Sequence, residues 1–355
     1  MSAIWSTAAT LAYLRAAPKA HLHVHLEGSI LPETLLTLAQ RNGVALPADS
    51  VDGLRAWFTF RDFDHFIEIY LTITRCLRTE EDYELIAYEF GAEMARQHVR
   101  YAEVTFSPST HEALGVPFDT QFSGLTQGRA HARAEFGVEI AWIFDIVRNI
   151  TPEARRDALA EYTLARAIEG MGEGVIALGL GGAEVGYPPE PFAPQFARAQ
   201  EAGLHCIPHA GETGGPESVW GAIRALEAER IGHGVRSIED PALVEYLRAH
   251  DVALELCPTS NLRLGVYSSY AAHPLRRLYE AGVPITINAD DPPLFNTTLN
   301  DEVALLATAF GLSLDQIDAI LLNGVRYSFL PAERKRALQA EFTAELARLR
   351  TLELA

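Results

Sequence analysis

The hydrophobic positions of this chain fall into short, nearly continuous apolar runs separated by longer amphipathic stretches. Eight runs stand out: KAHLHVH (19–25), RYAEVTF (100–106), VEIAWIFDI (138–146), GVIALGL (174–180), LHCIPHA (204–210), RIGHG (230–234), VALELCP (252–258) and VPITINAD (283–290). Most are rich in β-branched or aromatic residues and bounded by Gly or Pro, which predicts strands. Continuous rather than alternating apolar character predicts parallel strands covered on both faces. The intervening stretches carry helix punctuation. PEPFAPQFARAQEAG opens on prolines and stops at Gly203, DPALVEYLRAHD follows an Asp-Pro start, and HPLRRLYEAG ends at Gly282. Proline in the first turn and glycine beyond the last mark helix ends. Strands alternating with helices in this number predict an α/β fold, a (β/α)8 TIM barrel. A doubly wound sheet is the alternative, but no G-x-G-x-x-G follows the first strand. The segment between the first two strands, about 31–98, reads as a helical insertion. Within it FTFRDFDHFIEIYLTITRCL gathers Phe58, Phe60, Phe63, Phe66 and Tyr70, either as a lid over a site or as ordinary helix packing. The whole chain, 1–355, is read as one domain.

Charge narrows the partners. With 29 Lys and Arg against 47 Asp and Glu, the formal net charge is −18. Such a surface repels phosphate backbones, so no nucleic-acid partner is expected. No apolar run reaches transmembrane length, so no membrane partner is expected either. The start, MSAIWSTAATLAYLRAAPKA, fits a short amphipathic helix better than a signal peptide. Cys76, Cys206 and Cys257 are few, odd in number and scattered, which fits a reducing compartment. A soluble cytoplasmic protein is expected.

The chemistry lies in polar residues placed where strands should be apolar. Residues i and i+2 of a strand share a face, so His23 and His25 point the same way at the end of the first strand. A single histidine in a strand is ordinarily a core or surface residue. Here the pattern recurs: HAGE closes the fifth strand with His209 and Glu212, RIGHG the sixth with His233, and NADDP the eighth with Asp290 and Asp291. In a barrel those C-terminal strand ends are where active sites sit. Imidazoles with a carboxylate suit one divalent transition metal, zinc first, with iron or manganese the alternatives. A two-metal centre bridged by a carboxylated lysine is excluded, because the only lysines are Lys19, before the histidines, and Lys335, beyond the eighth strand. Glu255, in LELCP, is a candidate to orient an imidazole. His21, His205, Cys206 and Cys257 read as core residues. His111 reads equally as pocket rim or loop structure, and Asn261 as a cap or a lining residue.

Taken in order, HVHLEGS, YAEVTFSP, HAGE, RIGHG, LCPTSN and NADDPPLF resemble the adenosine deaminase family over most of the chain. The resemblance implies a barrel with one catalytic metal that hydrolyses the 6-amino group of a purine and releases ammonia. It implies metal ligation by His23, His25, His209 and Asp290. It implies that Glu212 protonates purine N1 and that His233 orients the attacking water. Asp291 is implied at N7, the backbone amide of Gly182 at N3, and Glu27 at the sugar or positioning the site. A different barrel hydrolase is the rival enzyme reading, and a purine-binding protein without turnover the non-catalytic one.

Two motifs depart from adenosine-specific members. TFSP has Thr105 where they commonly have Arg, and GLGGAE, with Gly179 and Ala183, stands where they commonly read DLAGDE. FSPSTHEALGV and EVGYPP resemble the bacterial adenine deaminase branch. With ALGLGGAE and DDPPLFNTTL the likeness extends to bacterial deaminases of 6-amino-6-deoxyfutalosine, an adenosine whose 5′ end carries a carboxyphenyl ketone, on a menaquinone route. That carboxylate needs a cation, and Arg148 is the candidate. Adenosine, aminodeoxyfutalosine and adenine are thus the substrates to separate; the oligomeric state is not legible.

Overall fold

The computed structural model describes residues 7–60 and 63–353. Eight parallel strands follow one another around a barrel in chain order: β1 (Lys19–His25), β2 (Val99–Phe106), β3 (Glu139–Val147), β4 (Val175–Gly181), β5 (His205–Ala210), β6 (Arg230–His233), β7 (Ala253–Leu256) and β8 (Ile285–Ile287). All eight apolar runs of the sequence form strands. The last is trimmed most, because the chain leaves the ladder after Ile287 and Asp290 adopts a left-handed backbone with φ 64°.

That departure closes the barrel. His25 N donates to Asp290 O at 3.0 Å, and Asp290 N donates to His23 O at 3.2 Å. The Asn288 carboxamide oxygen accepts from the backbone N–H groups of Leu22 and His23 at 2.9 and 3.1 Å. Three of the four implied metal ligands therefore sit on the seam itself. Lys19 lies at the opposite, N-terminal end of β1, where its buried ammonium donates to the carbonyls of Ala17 (2.6 Å) and Arg15 (3.1 Å).

The segment between β1 and β2 forms the helices Pro32–Asn42, Val51–Trp57, Phe63–Arg75 and Glu80–Arg96. Pro32 starts the first and Gly43, at φ 64°, stops it, as helix punctuation requires. Phe60 and Phe66 pack on Phe295 with ring centroids 5.8 and 5.5 Å apart. The Phe63 side chain and residues 1–6 of the expected N-terminal helix lie outside the described residues; the helix Thr7–Ala16 forms the rest. No helix among the described residues is long and apolar enough to cross a membrane.

The barrel interior is not purely apolar. Arg230, on β6, is fully buried between two carboxylates, with Nε on Glu255 Oε1 at 2.7 Å and Nη2 on Glu103 Oε2 at 2.5 Å. Its Nη1 donates to Tyr327 O at 2.6 Å, and the guanidinium lies 3.9 Å from the Phe329 ring centroid. The planar fork of Arg meets two carboxylates and a carbonyl from three separate nitrogens, a spread that a single ammonium nitrogen does not offer. Removing the guanidinium leaves two buried carboxylates without the cation between them. Arg230→Met should therefore lower unfolding free energy by about 3–5 kcal/mol in denaturant titration; a loss below about 1 kcal/mol would mean that the network is not a stabilising unit.

Candidate active site

The C-terminal ends of the strands open into a cavity of about 460 Å³. Its floor carries His25, His209, Glu212, His233, Asp290 and Asp291, and Gly182 lies on its wall. The apolar lining comes largely from the inserted helix Phe63–Arg75 (Phe66, Ile67, Leu71) and from Leu114, Ile150 and Leu159. Of the aromatic stretch between β1 and β2, Phe66 and Tyr70 line the cavity, and Phe60 packs on Phe66.

Four donor groups converge there. His25 Nε2 lies 3.3 Å from both His209 Nε2 and Asp290 Oδ1, and His23 Nε2 lies 3.6 Å from the same carboxylate oxygen. Ligands 2.0–2.2 Å from a tetrahedral zinc stand roughly 3.3–3.6 Å apart, so the residues fit such an ion. Buried His23 Nε2 has no hydrogen-bond partner, as expected of a group reserved for a metal. Its other nitrogen, Nδ1, is 2.9 Å from Glu255 Oε2, which fixes the ring and ties it to Arg230. Ser260 Oγ donates to Asp290 Oδ2 at 2.6 Å. Cys257 is buried beside this cluster, and burial pushes its thiol well above the usual range.

The remaining ionisable groups are driven apart by their surroundings. Burial, reinforced by the Asp290 and Glu184 carboxylates, raises Glu212 to about 8. Burial beside His23 pushes His233 down to about 3, so its imidazole is neutral. His233 Nε2 faces Glu212 Oε1 and Asp290 Oδ2, each at 3.7 Å, while Nδ1 contacts the Asn261 amide at 3.3 Å. His233 and Asp290 both hold left-handed backbones, φ 60° and 64°, which non-glycine residues rarely adopt. Asp291, raised by burial next to Asp290, has Oδ1 buried without a partner.

The other expected positions fall elsewhere. Glu27 is fully buried and does not line the cavity; Oε1 lies 3.0 Å from His111 Nε2 and accepts from Ser107 N at 3.3 Å. His111 in turn meets Tyr83 OH through Nδ1 at 2.9 Å, so Glu27 and His111 hold the short helix Pro108–Ala113 that follows β2. Arg148 is also fully buried, and Nη2 donates to the carbonyls of Leu180 at 3.2 Å and His209 at 2.5 Å. It braces β4 against β5, and the cation on the cavity wall is Arg155. His21 is a core residue: Nε2 accepts from Ala289 N at 3.0 Å.

One residue escaped the sequence reading. The carboxylate of Glu184, the last residue of GLGGAE, accepts the backbone N–H groups of Gly211 (2.5 Å), Glu212 (3.0 Å), Thr213 (2.9 Å) and Gly214 (2.7 Å). It cradles the turn that carries Glu212. The signal was the acid that closes GLGGAE, one of the two motifs that depart from the adenosine-specific pattern.

A parallel barrel with convergent imidazoles and a carboxylate at its mouth, beside a carboxylic acid raised into the neutral range, defines a metal-dependent hydrolase. Residues 18–345 match the family model described as adenosine deaminase, and the chain belongs to that family. It is 42% identical to the aminodeoxyfutalosine deaminase of Streptomyces coelicolor, over 93% of this chain and 84% of that one. It is 43% identical to the adenine deaminase of Cupriavidus taiwanensis, over 96% and 94% of the two chains. The crystal structure of an amidohydrolase from Burkholderia ambifaria with bound zinc superposes with a TM-score of 0.90 at 26% identity, covering 99% and 96% of the chains. The protein is a metal-dependent aminohydrolase that deaminates purines hydrolytically.

Glu255 links the metal-facing His23 to the buried ion network. Glu255→Gln should weaken metal binding by about 10–100-fold in a chelator competition titration; an unchanged affinity would show that the carboxylate does not tune His23.

Proposed function

We propose that the substrate is a 6-aminopurine nucleoside of the aminodeoxyfutalosine type, extended on its 5′ side by an apolar group that ends in an anion. The observation that carries this reading is the layout of the cavity. Its floor is acidic and imidazole-lined, its middle is apolar, and Arg155 is the only Lys or Arg among its described lining residues. Arg155 forms no ion pair among the described residues and lies in the first turn of the helix Glu153–Glu169 that follows β3. A cavity of about 460 Å³ exceeds what a bare bicyclic base fills and falls in the range that encloses drug-sized ligands. Adenine is the second reading, favoured by the adenine deaminases among the relatives.

The metal is taken to be zinc, one ion held by His23, His25, His209 and Asp290. When bound it supplies Lewis-acid activation of water at neutral pH. Glu212 holds a proton for purine N1, and transferring it makes C6 electrophilic as a tetrahedral centre forms. Neutral His233, facing Glu212 and Asp290, orients the attacking water and takes its proton at Nε2. Asp291 meets N7, and the Gly182 amide donates to N3. Glu27 acts through His111 and the short helix after β2 rather than by touching the sugar. Attack on an amide or ester needs no acid for a ring nitrogen, so Glu212 supports purine chemistry over another barrel hydrolysis. The three buried free thiols support a reducing, cytoplasmic setting.

Glu212→Gln keeps the shape and removes the transferable proton. It should lower kcat by at least about 100-fold while metal content stays at the wild-type level; a loss of less than tenfold would sink the assigned role. Arg155→Ala should reduce kcat/KM about 10–100-fold for aminodeoxyfutalosine, mainly through KM, and leave adenosine nearly unaffected. Equal effects on both substrates, or adenine preferred by the wild-type enzyme, would overturn the substrate reading.

A further inference from the structure

One buried carboxylate on the cavity wall has no part in the chemistry above. Asp145 is near the end of β3, is 3% exposed, and lines the cavity. Its Oδ1 is buried without a hydrogen-bond partner, although an unpaired buried acceptor is costly and few native groups tolerate it. The neighbouring strand is cut away to make room. In the parallel register Asp145 sits opposite Gly179 of β4, and Gly181 lies two residues further on. A methyl group at Gly179 would come within 2.7 Å of Asp145 Oδ1, and one at Gly181 would overlap Oδ2. Any other residue at either position would force the carboxylate to move. The glycines that break the sequence pattern of β4 are thus the seat of an acid contributed by β3.

Its place along the cavity follows from its neighbours. Asp145 and Val147 line the cavity at alternate positions, as residues on one strand face do, and Asn149, in the turn just beyond β3, lines it too. Asn149 Oδ1 is a second buried oxygen without a partner, and it stands against Gly182, where a methyl group would overlap it. Gly182 is the residue assigned to purine N3, so these oxygens flank the N3 and N9 edge of the base, away from Asp291 at N7. N9 is where a nucleoside carries its sugar, and sugar hydroxyls are donors that a buried carboxylate oxygen can pair.

We propose that Asp145 is a substrate-binding and specificity-determining residue whose carboxylate accepts a hydrogen bond from a ribose hydroxyl of the purine nucleoside. This rests on the nucleoside reading given above. The bond discriminates a nucleoside from its deoxy forms because a missing hydroxyl leaves the buried oxygen unpaired again.

The test is a cycle of substrate and enzyme changes. Wild-type enzyme, Asp145→Asn and Asp145→Ala are assayed with adenosine, 2′-deoxyadenosine, 3′-deoxyadenosine and adenine, with metal content and Tm measured for each protein. Wild-type enzyme should lose about 10–100-fold in kcat/KM when one particular hydroxyl is removed. Asp145→Ala should lose a similar factor on adenosine, mostly in KM, and nothing further on the deoxy substrate that lacks that hydroxyl. Losses that are equal across all four substrates would assign Asp145 to folding or to the metal and overturn the proposal. So would a loss confined to adenine, which would mean that the partner is the N9–H of a free base. If wild-type enzyme released ammonia from neither these nucleosides nor aminodeoxyfutalosine, the nucleoside reading itself would fail; if it turned them over without this selectivity, only the role of Asp145 would.

Discussion

The seam between β8 and β1 is the constraint on which the rest of the site depends. Two backbone hydrogen bonds, from His25 to Asp290 and from Asp290 to His23, complete the barrel and at the same time set three of the proposed metal ligands in register. The strain needed for this is local: Asp290 turns left-handed just where the ladder ends. Because the donors are fixed by sheet closure rather than by flexible loops, their spacing is preorganised before any ion arrives, and this spacing suits tetrahedral coordination.

From that seam the electrostatics run in two directions. Downward, His23 is held by Glu255, Glu255 by Arg230, and Arg230 by Glu103, so a core ion network ends in one oriented imidazole. Upward, one small volume keeps Glu212 able to hold a proton near neutrality and His233 unprotonated. Environments that push two titratable groups apart are what an acid and base pair needs. Glu184 completes the arrangement by fixing the turn that aims Glu212, through bonds to four successive amides.

The strands and the acidic and imidazole floor were legible in the sequence for the same reason. Continuous apolar runs can bury both faces of a parallel strand, and histidines or carboxylates at the ends of such runs have no bland reason to recur on four strands. Legibility faded where function depends on the direction of a side chain. Arg148 and Arg155 are seven residues apart, and only the three-dimensional path shows the first bracing carbonyls and the second reaching the cavity wall. Glu27 adjoins two metal-facing histidines in sequence, yet its carboxylate turns to His111. Asp145 lay inside an apolar run, and nothing in the run itself could reveal that glycines on the next strand leave it room.

The central claim is that a single metal ion held at the β8–β1 seam governs purine deamination. Elemental analysis of the purified enzyme, with ammonia release followed during chelation and stepwise reconstitution, tests it most directly. One metal ion per chain, with activity rising in proportion to occupancy and both lost in Asp290→Ala, is the predicted result. Two ions per chain at full activity, or turnover that survives complete removal of the metal, would contradict it.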